Sequence, residues 1–171
     1  MIVLMAGLPG TGKTTLAREL AARTSGRILS KDEIRHAIFS APEIEYSSRQ
    51  DDSCVQIMLE TTGYLLRQDP ARIVFLDGRP FSRRYQIENV LAAAASLNQA
   101  WRILECICSE ETARQRLKEH VAGGEHPAAN RDFQLYLDVR SRFEAISFSK
   151  TVIDTDEPLE DCVAQGLAAL R

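Results

Sequence analysis

The chain has 171 residues, of which 44% are hydrophobic and 26% are charged. This is the composition of a folded globular protein, and it excludes the disordered, collagen-like and disulfide-rich classes. The length suits one domain, so we expect residues 1–171 to fold as a single unit. The formal net charge of −3 supplies no global positive field for binding nucleic acid.

Short apolar runs alternate with longer segments of helical period, which is the pattern of βαβ units around a parallel sheet. The central runs are continuously apolar, as expected for strands that helices cover on both faces. Strands are predicted over Ile2–Ala6, Arg27–Ser30, Arg72–Asp77, Trp101–Cys108 and Lys150–Asp154. Helices are predicted over Thr14–Thr24, Asp51–Arg67, Ser82–Leu97, Ser109–His120, Arg131–Ile146 and Leu159–Leu170, and another begins after the second strand.

The first strand runs into a glycine-rich turn that opens a helix. The turn matches G-x-x-x-x-G-K-[ST] at every fixed position, with Gly7, Leu8, Pro9, Gly10, Thr11, Gly12, Lys13 and Thr14, and Thr15 follows as a further binding residue. In such a loop the backbone N–H groups and the helix dipole attract phosphate, and the lysine reaches the β and γ oxygens. The threonine hydroxyl would hold Mg²⁺. This phosphate-binding loop (P-loop, residues 7–14) predicts ATP and Mg²⁺ as cofactors, since no guanine-specific motif is visible.

The segment after the second strand places a carboxylate and an arginine where ligands bind in such sheets. Asp32 and Arg35 lie three residues apart on one face of the helix that begins there. The carboxylate could accept the proton of an acceptor hydroxyl that attacks a γ-phosphate, and the arginine could bind the acceptor or the phosphate. The structural alternative is that Asp32 caps the helix and Arg35 is an ordinary surface partner.

The third strand ends on Asp77, and Gly78 follows it, as in a Walker B strand. Asp77 could therefore hold Mg²⁺ through water or bind the acceptor. Beyond it, Arg79, Arg83 and Arg84 could bind an anionic group of the substrate beside the expected acceptor cleft. The alternative is that these arginines are solvated at the start of a helix.

The GLPGTGKTT loop, the SKDEIR segment and the chain length resemble the small P-loop kinases of the AAA_33 type, a group that includes polynucleotide-kinase, gluconate-kinase-like and zeta-toxin-like enzymes. The resemblance implies a three-layer α/β/α P-loop NTPase fold, with a five-stranded parallel sheet in the order 2-3-1-4-5. In the polynucleotide-kinase branch, Asp32 matches the general base and Arg35 matches an arginine three residues later, so the resemblance implies these two residues for the acceptor side. From their positions we expect Asp77 and Arg79 to contact the acceptor as well.

The same resemblance implies a short lid over approximately residues 118–131. Arg116, which leads into this lid, matches an arginine that closes over the phosphates, and Arg131 could substitute for a second one where this chain has Lys118 or His120. Thr155 lies where the family contacts adenine. Two polar stretches that contain proline, Ser40–Arg49 and Val121–Asn130, are predicted not to continue a helix.

Other features favour a soluble protein without zinc. The four cysteines are scattered, which favours core thiols over metal or redox use, and the three histidines lack the spacing of zinc ligands. No stretch approaches the apolar length of a membrane helix, and the apolar start of the chain lacks a basic leader. We therefore expect a cytoplasmic location.

Taken together, these motifs predict an ATP-dependent kinase that phosphorylates a hydroxyl of a small molecule such as a sugar, polyol, nucleoside or antibiotic. A polynucleotide 5′-hydroxyl is an alternative acceptor, although the chain has no evident aromatic platform or basic stripe. A nucleoside monophosphate is the third candidate acceptor. The alternative from another class is a nucleotide-dependent switch or regulatory ATPase that binds a protein partner.

Overall fold

A computed structural model of the protein describes residues 1–123 and 132–171, except for the side chains of residues 120–123. The fold is α/β, with a five-stranded parallel sheet in the predicted order β2-β3-β1-β4-β5. The strands are β1 (Ile2–Ala6), β2 (Arg27–Ser30), β3 (Val74–Asp77), β4 (Trp101–Ile107) and β5 (Thr151–Asp154). The helices of this part of the chain are α1 (Lys13–Thr24), α2 (Lys31–Ile38), α3 (Ser48–Gln68), α4 (Arg84–Ser96), α5 (Glu110–Gly123), α6 (Phe133–Ser141) and α7 (Leu159–Ala169).

The central strand β1 is buried along its whole length and contributes to a core on each face of the sheet. Ile2 and Leu4 face α3 and α4, whereas Val3 and Met5 face α1 and α7. This alternation follows from the two-residue period of a strand. The result is a three-layer structure in which helices cover both faces of the sheet.

The predicted elements differ from the observed ones mainly at helix ends. The helix α3 starts at Ser48, inside the predicted loop Ser40–Arg49, because the Ser47 hydroxyl accepts the N–H of Gln50 and caps the helix earlier. The predicted helix over Arg131–Ile146 ends at Ser141, and Ile146 belongs to the core beneath α3 and α4.

The helix α5 also differs from its prediction. It continues to Gly123, so the prediction that Val121–Asn130 does not continue a helix is wrong at its first residues. Valine and alanine tolerate a helix, and Gly123 is the first residue that disfavours one. The predicted lid residues 124–131, which include Arg131, lie outside the described residues. In the part of the chain that is described, no helix combines the length and apolarity needed to cross a membrane.

The first glycine of the P-loop provides a test of the fold. Gly7 has a φ of 128°, and a Cβ there would lie 2.2 Å from the carbonyl oxygen of Cys106 in β4. We expect Gly7→Ala to lower the free energy of unfolding by at least about 2 kcal/mol, because neither backbone can move without disturbing the sheet. Denaturant unfolding measures this.

Gly63→Ala is the matched control. Gly63 lies inside α3, and a Cβ there would meet first the flexible end of Arg67, at 3.2 Å. Alanine also favours the helix by about 0.5 to 1 kcal/mol over glycine. We therefore expect this variant to be as stable as the parent or slightly more so. Equal losses in the two variants would contradict the argument.

Candidate active site

The P-loop connects β1 to α1, and its backbone carbonyl groups bind the side chain of its own lysine. Gly10 and Gly12 both have positive φ, which lets the loop curl. The Lys13 Nζ donates to the carbonyl oxygens of Gly7 at 2.9 Å and Leu8 at 2.6 Å. The Thr11 hydroxyl also donates to the Leu8 carbonyl, at 2.8 Å, so these side chains stabilise the loop conformation that the motif predicts.

A hydroxyl and a carboxylate meet beside the P-loop. The parallel pairing of β1 with β3 brings Asp77 to the start of α1, where the Thr14 hydroxyl donates to Asp77 Oδ2 at 2.7 Å. The other oxygen, Asp77 Oδ1, is buried and has no hydrogen-bond partner among the described residues. Hydroxyl and carboxylate oxygens are the ligands that Mg²⁺ prefers, so this pair and its unpartnered oxygen fit the predicted metal.

A first cavity of 740 Å³ opens in front of the P-loop, which is a size that suits a nucleotide. Gly10, Gly12, Lys13, Thr14, Thr15, Asp32, Asp77, Arg116 and Thr155 are among its lining residues. On its far wall, Arg116 donates from Nη1 to the Thr155 hydroxyl at 2.9 Å and from Nη2 to the Thr155 carbonyl at 2.7 Å. Arg116 and Thr155, predicted from distant segments, are therefore brought together.

Of the other predicted lid cations, Lys118 is the one whose side chain is described. It is exposed and does not line the first cavity. The side chain of His120 and all of Arg131 lie outside the described residues. Arg116 is thus the predicted lid cation that the described residues place at the first cavity.

Four charged side chains form a network at the carboxyl end of β2. Lys31 Nζ lies 2.8 Å from Asp51 Oδ1 and 3.3 Å from Asp32 Oδ1. Arg35 Nη1 lies 3.1 Å from Asp32 Oδ1, and Arg35 also forms an ion pair with Asp51. The hydroxyl of Ser30 caps α2, and Arg35 is completely buried. The structural alternative, with Asp32 as the cap and Arg35 at the surface, is therefore wrong.

A second cavity of 500 Å³ lies next to the first. Its lining includes Pro9, Lys13, Lys31, Asp32, Arg35, Tyr46, Asp51, Arg79, Tyr85 and Arg142. Lys13 and Asp32 line both cavities, so the two spaces meet between the P-loop lysine and the predicted base. The ring of Tyr46 covers the guanidinium of Arg35, whose central carbon lies 5.0 Å from the ring centroid.

The arginines that follow β3 separate into two groups. Arg79 is buried at the second cavity, where its Nη2 donates to Asp52 Oδ1 at 2.6 Å and to the Tyr85 hydroxyl at 3.3 Å. Arg83 also lines this cavity and pairs with Glu144 at 2.9 Å. Arg84 instead pairs with Glu88 and lies over the Phe148 ring, outside the second cavity, so its predicted role there is wrong.

The cysteines belong to the core or its edge. Cys54, Cys106 and Cys162 are buried and Cys108 is half-buried, and all four are free thiols. Burial raises the pKa of Cys106, directly beneath the P-loop, to about 12. The Cys106 thiol therefore stays protonated and unreactive at neutral pH.

Comparison with known proteins agrees with this architecture. Residues 2–145 match the pattern of one family, AAA_33, which is described as an AAA domain. The chain belongs to the AAA_33 family. No curated protein matches the sequence significantly.

Solved structures share the fold of this AAA_33 chain over nearly its whole length. A provisionally named kinase from Chloroflexus aurantiacus is 20% identical, with a TM-score of 0.75, and the match covers 99% of this chain and 98% of that one. The Mycobacterium tuberculosis APS kinase in complex with AMPPNP and APS is 14% identical, with a TM-score of 0.73 and coverages of 99% and 96%. A gluconokinase from Sinorhizobium meliloti is 17% identical, with a TM-score of 0.66 and coverages of 99% and 90%. At these identities the likeness shows the fold, which is that of P-loop kinases.

Sequence reasoning missed several residues of the AAA_33 chain's second cavity. Lys31, Asp51 and Asp52 complete the ion pairs, and Arg142 adds a cation from the end of α6. A signal was present in the paired aspartates of the SRQDD segment, because acids near the start of a helix are favoured by its dipole, and Asp51 lies in the first turn of α3. No local pattern distinguishes Arg142 from the arginines around it.

Asp51 tests the network of four charges. It is the shared partner of Lys31 and Arg35, both of which are buried. We expect Asp51→Asn to lower the free energy of unfolding by about 3 kcal/mol, because two buried cations then share one carboxylate. Denaturant unfolding measures this loss.

The control is Asp69→Asn, which removes a half-exposed carboxylate that lies 3.5 Å from Arg72 at the end of α3. Solvent screens such a pair, so the change stays below about 1 kcal/mol. If Asp51→Asn were as mild as this control, the network would not be a structural requirement.

Proposed function

We propose that this AAA_33 protein is an ATP-dependent kinase that transfers the γ-phosphate of Mg-ATP to a hydroxyl group of a small molecule. One observation carries the proposal. The cavity in front of the P-loop and the second cavity meet at Lys13 and Asp32, so a phosphate-binding lysine and a buried carboxylate face the same junction. A phosphoryl group and an acceptor hydroxyl need this juxtaposition, because transfer depends mainly on their position and on the stabilisation of charge.

In the proposed donor site, the amides of the P-loop and Lys13 bind the β and γ phosphates. Thr14 and Asp77 would hold Mg²⁺, which when bound neutralises charge on the phosphate oxygens. Arg116 adds positive charge from the opposite wall, and Thr155 anchors it there. Thr15 and the remaining loop residues complete the phosphate cradle.

In the proposed acceptor site, Asp32 is the general base. Its Oδ1 is engaged by Lys31 and Arg35, while its Oδ2 has no hydrogen bond to the described residues. The acceptor hydroxyl would donate to Oδ2, its oxygen would attack the γ phosphorus, and its proton would pass to Asp32 as the bond to ADP breaks. Arg35 and Arg79 would stabilise the acceptor side of this arrangement.

The similarity to other structures supports a small acceptor. Of the structures compared, one is named as a gluconokinase and another is an APS kinase in complex with APS, and both share this fold. We take residues 1–171 as one kinase domain, in which the lid over residues 118–131 would exclude water from the junction. The closing arginine Arg131 remains a prediction.

The base is tested with γ-labelled ATP, Mg²⁺ and a pooled panel of sugars, polyols, sugar acids, nucleosides, aminoglycosides and 5′-hydroxyl oligonucleotides. We expect label on an organic product, and Asp32→Asn should reduce its rate by about 10²- to 10⁴-fold while ATP still binds. Asp69→Asn, which lies far from both cavities, should leave the rate unchanged.

The distribution of label decides between the alternatives. Label on the oligonucleotide would assign a polynucleotide acceptor instead of a small one. Label that is released only as free phosphate, at equal rates in the parent and in Asp32→Asn, would overturn the kinase and favour a regulatory ATPase.

The metal site is tested by the Thr14 hydroxyl. We expect Thr14→Val to raise the Mg²⁺ concentration needed for half-maximal binding of a fluorescent ATP analogue by about 10-fold or more, because one oxygen ligand is lost. Thr14→Ser keeps the hydroxyl and should stay close to the parent. An unchanged Mg²⁺ requirement in Thr14→Val would exclude Thr14 as a ligand.

A further inference from the structure

The second cavity is lined by more cations than carboxylates. Its cationic lining residues are Lys13, Lys31, Arg35, Arg79, Arg83 and Arg142, and its acidic ones are Asp32 and Asp51. The proposed function assigns Lys13 to the ATP phosphates. The balance of the remaining groups therefore decides which charge an acceptor must carry.

Most of these cations already have a partner within the protein. Lys31 and Arg35 share Asp32 and Asp51. Arg79 pairs with Asp52 and Arg83 with Glu144, two carboxylates that stand outside the cavity lining. The net charge of these paired residues is therefore zero.

Arg142 is the cation that remains. It directly follows α6, is exposed to solvent, lines the second cavity and forms no ion pair with any carboxylate in residues 1–123 and 132–171. One positive charge of the cavity is therefore left without a counter-charge in the described structure. An anion inside the cavity would supply that counter-charge.

A second and independent observation comes from Arg79. Its side chain is only 3% exposed, yet its Nε, like that of Arg35, has no hydrogen-bond partner among the described residues. A buried donor without a partner costs about 1 to 3 kcal/mol, so such groups are usually satisfied by a ligand or water. Arg79, whose side chain is buried, and Arg142, whose side chain is exposed, both line this cavity.

From these two observations we propose that the acceptor is an acid: a small hydroxylated molecule whose compact anionic group, a carboxylate or a phosphate, binds Arg142 and Arg79 while its hydroxyl lies at Asp32. This assignment rests on the proposed kinase function and names its substrate class. A neutral sugar or polyol would offer Arg142 no counter-charge. Charge-assisted hydrogen bonds of this kind are among the stronger ones in proteins.

The single uncompensated charge further favours a monoanion. A carboxylate balances one positive charge, whereas a phosphate monoester near neutral pH brings close to two negative charges. Carboxylate and phosphate acceptors are therefore separate arms of the test.

The first experiment compares matched acceptors in phosphoryl transfer from γ-labelled ATP. The pairs are glycerol against glycerate and glycerol 3-phosphate, and sorbitol against gluconate and glucose 6-phosphate. We expect the acid of a pair to exceed its neutral counterpart by at least about 100-fold in kcat/KM, because a site built around charged donors rejects a ligand that cannot pair them. Neutral acceptors that match or exceed their acids would overturn the proposal.

Arg142→Gln identifies the group that binds the anion. This variant should raise the KM for the acid by about 10-fold or more and leave the KM for ATP unchanged, because Arg142 lines only the second of the two cavities. Arg84→Gln is the matched control, since Arg84 carries the same charge on the neighbouring surface but faces Glu88 and Phe148. An equal rise in KM in both variants would show that any positive charge on this surface has the same effect, and it would overturn the assignment of Arg142 as the group that binds the anion.

A binding measurement separates this proposal from the kinase proposal. Protein saturated with Mg²⁺ and AMPPNP, so that the γ-phosphate position is filled, is titrated calorimetrically with gluconate, glycerate, glycerol 3-phosphate and inorganic phosphate. Saturable binding of an anion that is lost in Arg142→Gln and kept in Arg84→Gln supports the anion site, even if no label is transferred in the first experiment. The absence of saturable binding for all four anions would overturn it.

Discussion

The arrangement of the site depends on the parallel pairing of β3 with its two neighbours. Leu76 lies opposite Leu4 of β1, and Asp77 lies opposite Ser30 of β2, so three strands end at nearly the same level. Neighbouring strands are about 4.8 Å apart. The turns that follow these strands therefore emerge side by side, and Asp77 is bonded to Thr14 on one side while Gly78 lies against α2 on the other. Both halves of the site meet where β3 ends.

The acceptor half combines buried charge with unusual backbone conformations. Buried ion pairs often contribute little net stability, because both partners lose their hydration. Here they orient Asp32, whose Oδ1 is held by Lys31 and Arg35. Tyr46, which lines the second cavity, and Phe81, which lies between Arg79 and Arg83 in the chain, adopt positive φ values of 47° and 53°, and such conformations concentrate at binding sites. We interpret this as a region in which buried charges and strained backbone lower the stability of the fold but hold the side chains of the site in fixed positions.

The positions of the donor-half residues could be predicted from the sequence because their signals are local, whereas the sheet order came from the resemblance to P-loop kinases. The P-loop and Asp32 lie just after a strand and Asp77 is the last residue of one, so their place at the carboxyl edge is set by chain position alone. The helix ends were predicted less accurately. Ser30 and Ser47 cap α2 and α3, and which of several polar residues caps a helix depends on tertiary packing. Asp51 and Arg142 were missed because only the tertiary fold brings α3 and the end of α6 to the second cavity.

This difference between local and tertiary signals has a physical origin. The P-loop binds phosphate largely through backbone N–H groups, which any sequence with the required glycines can supply, so the donor half depends on a short motif. The second cavity is formed by long side chains from α2, α3, the turn after β3 and the end of α6, which the fold brings together but does not specify. Structures with identities of 14% to 20% can therefore share the fold of this chain. Substitution of a few of these long side chains would change the acceptor without disturbing the donor half, because the two halves share only Lys13 and Asp32 among their lining residues.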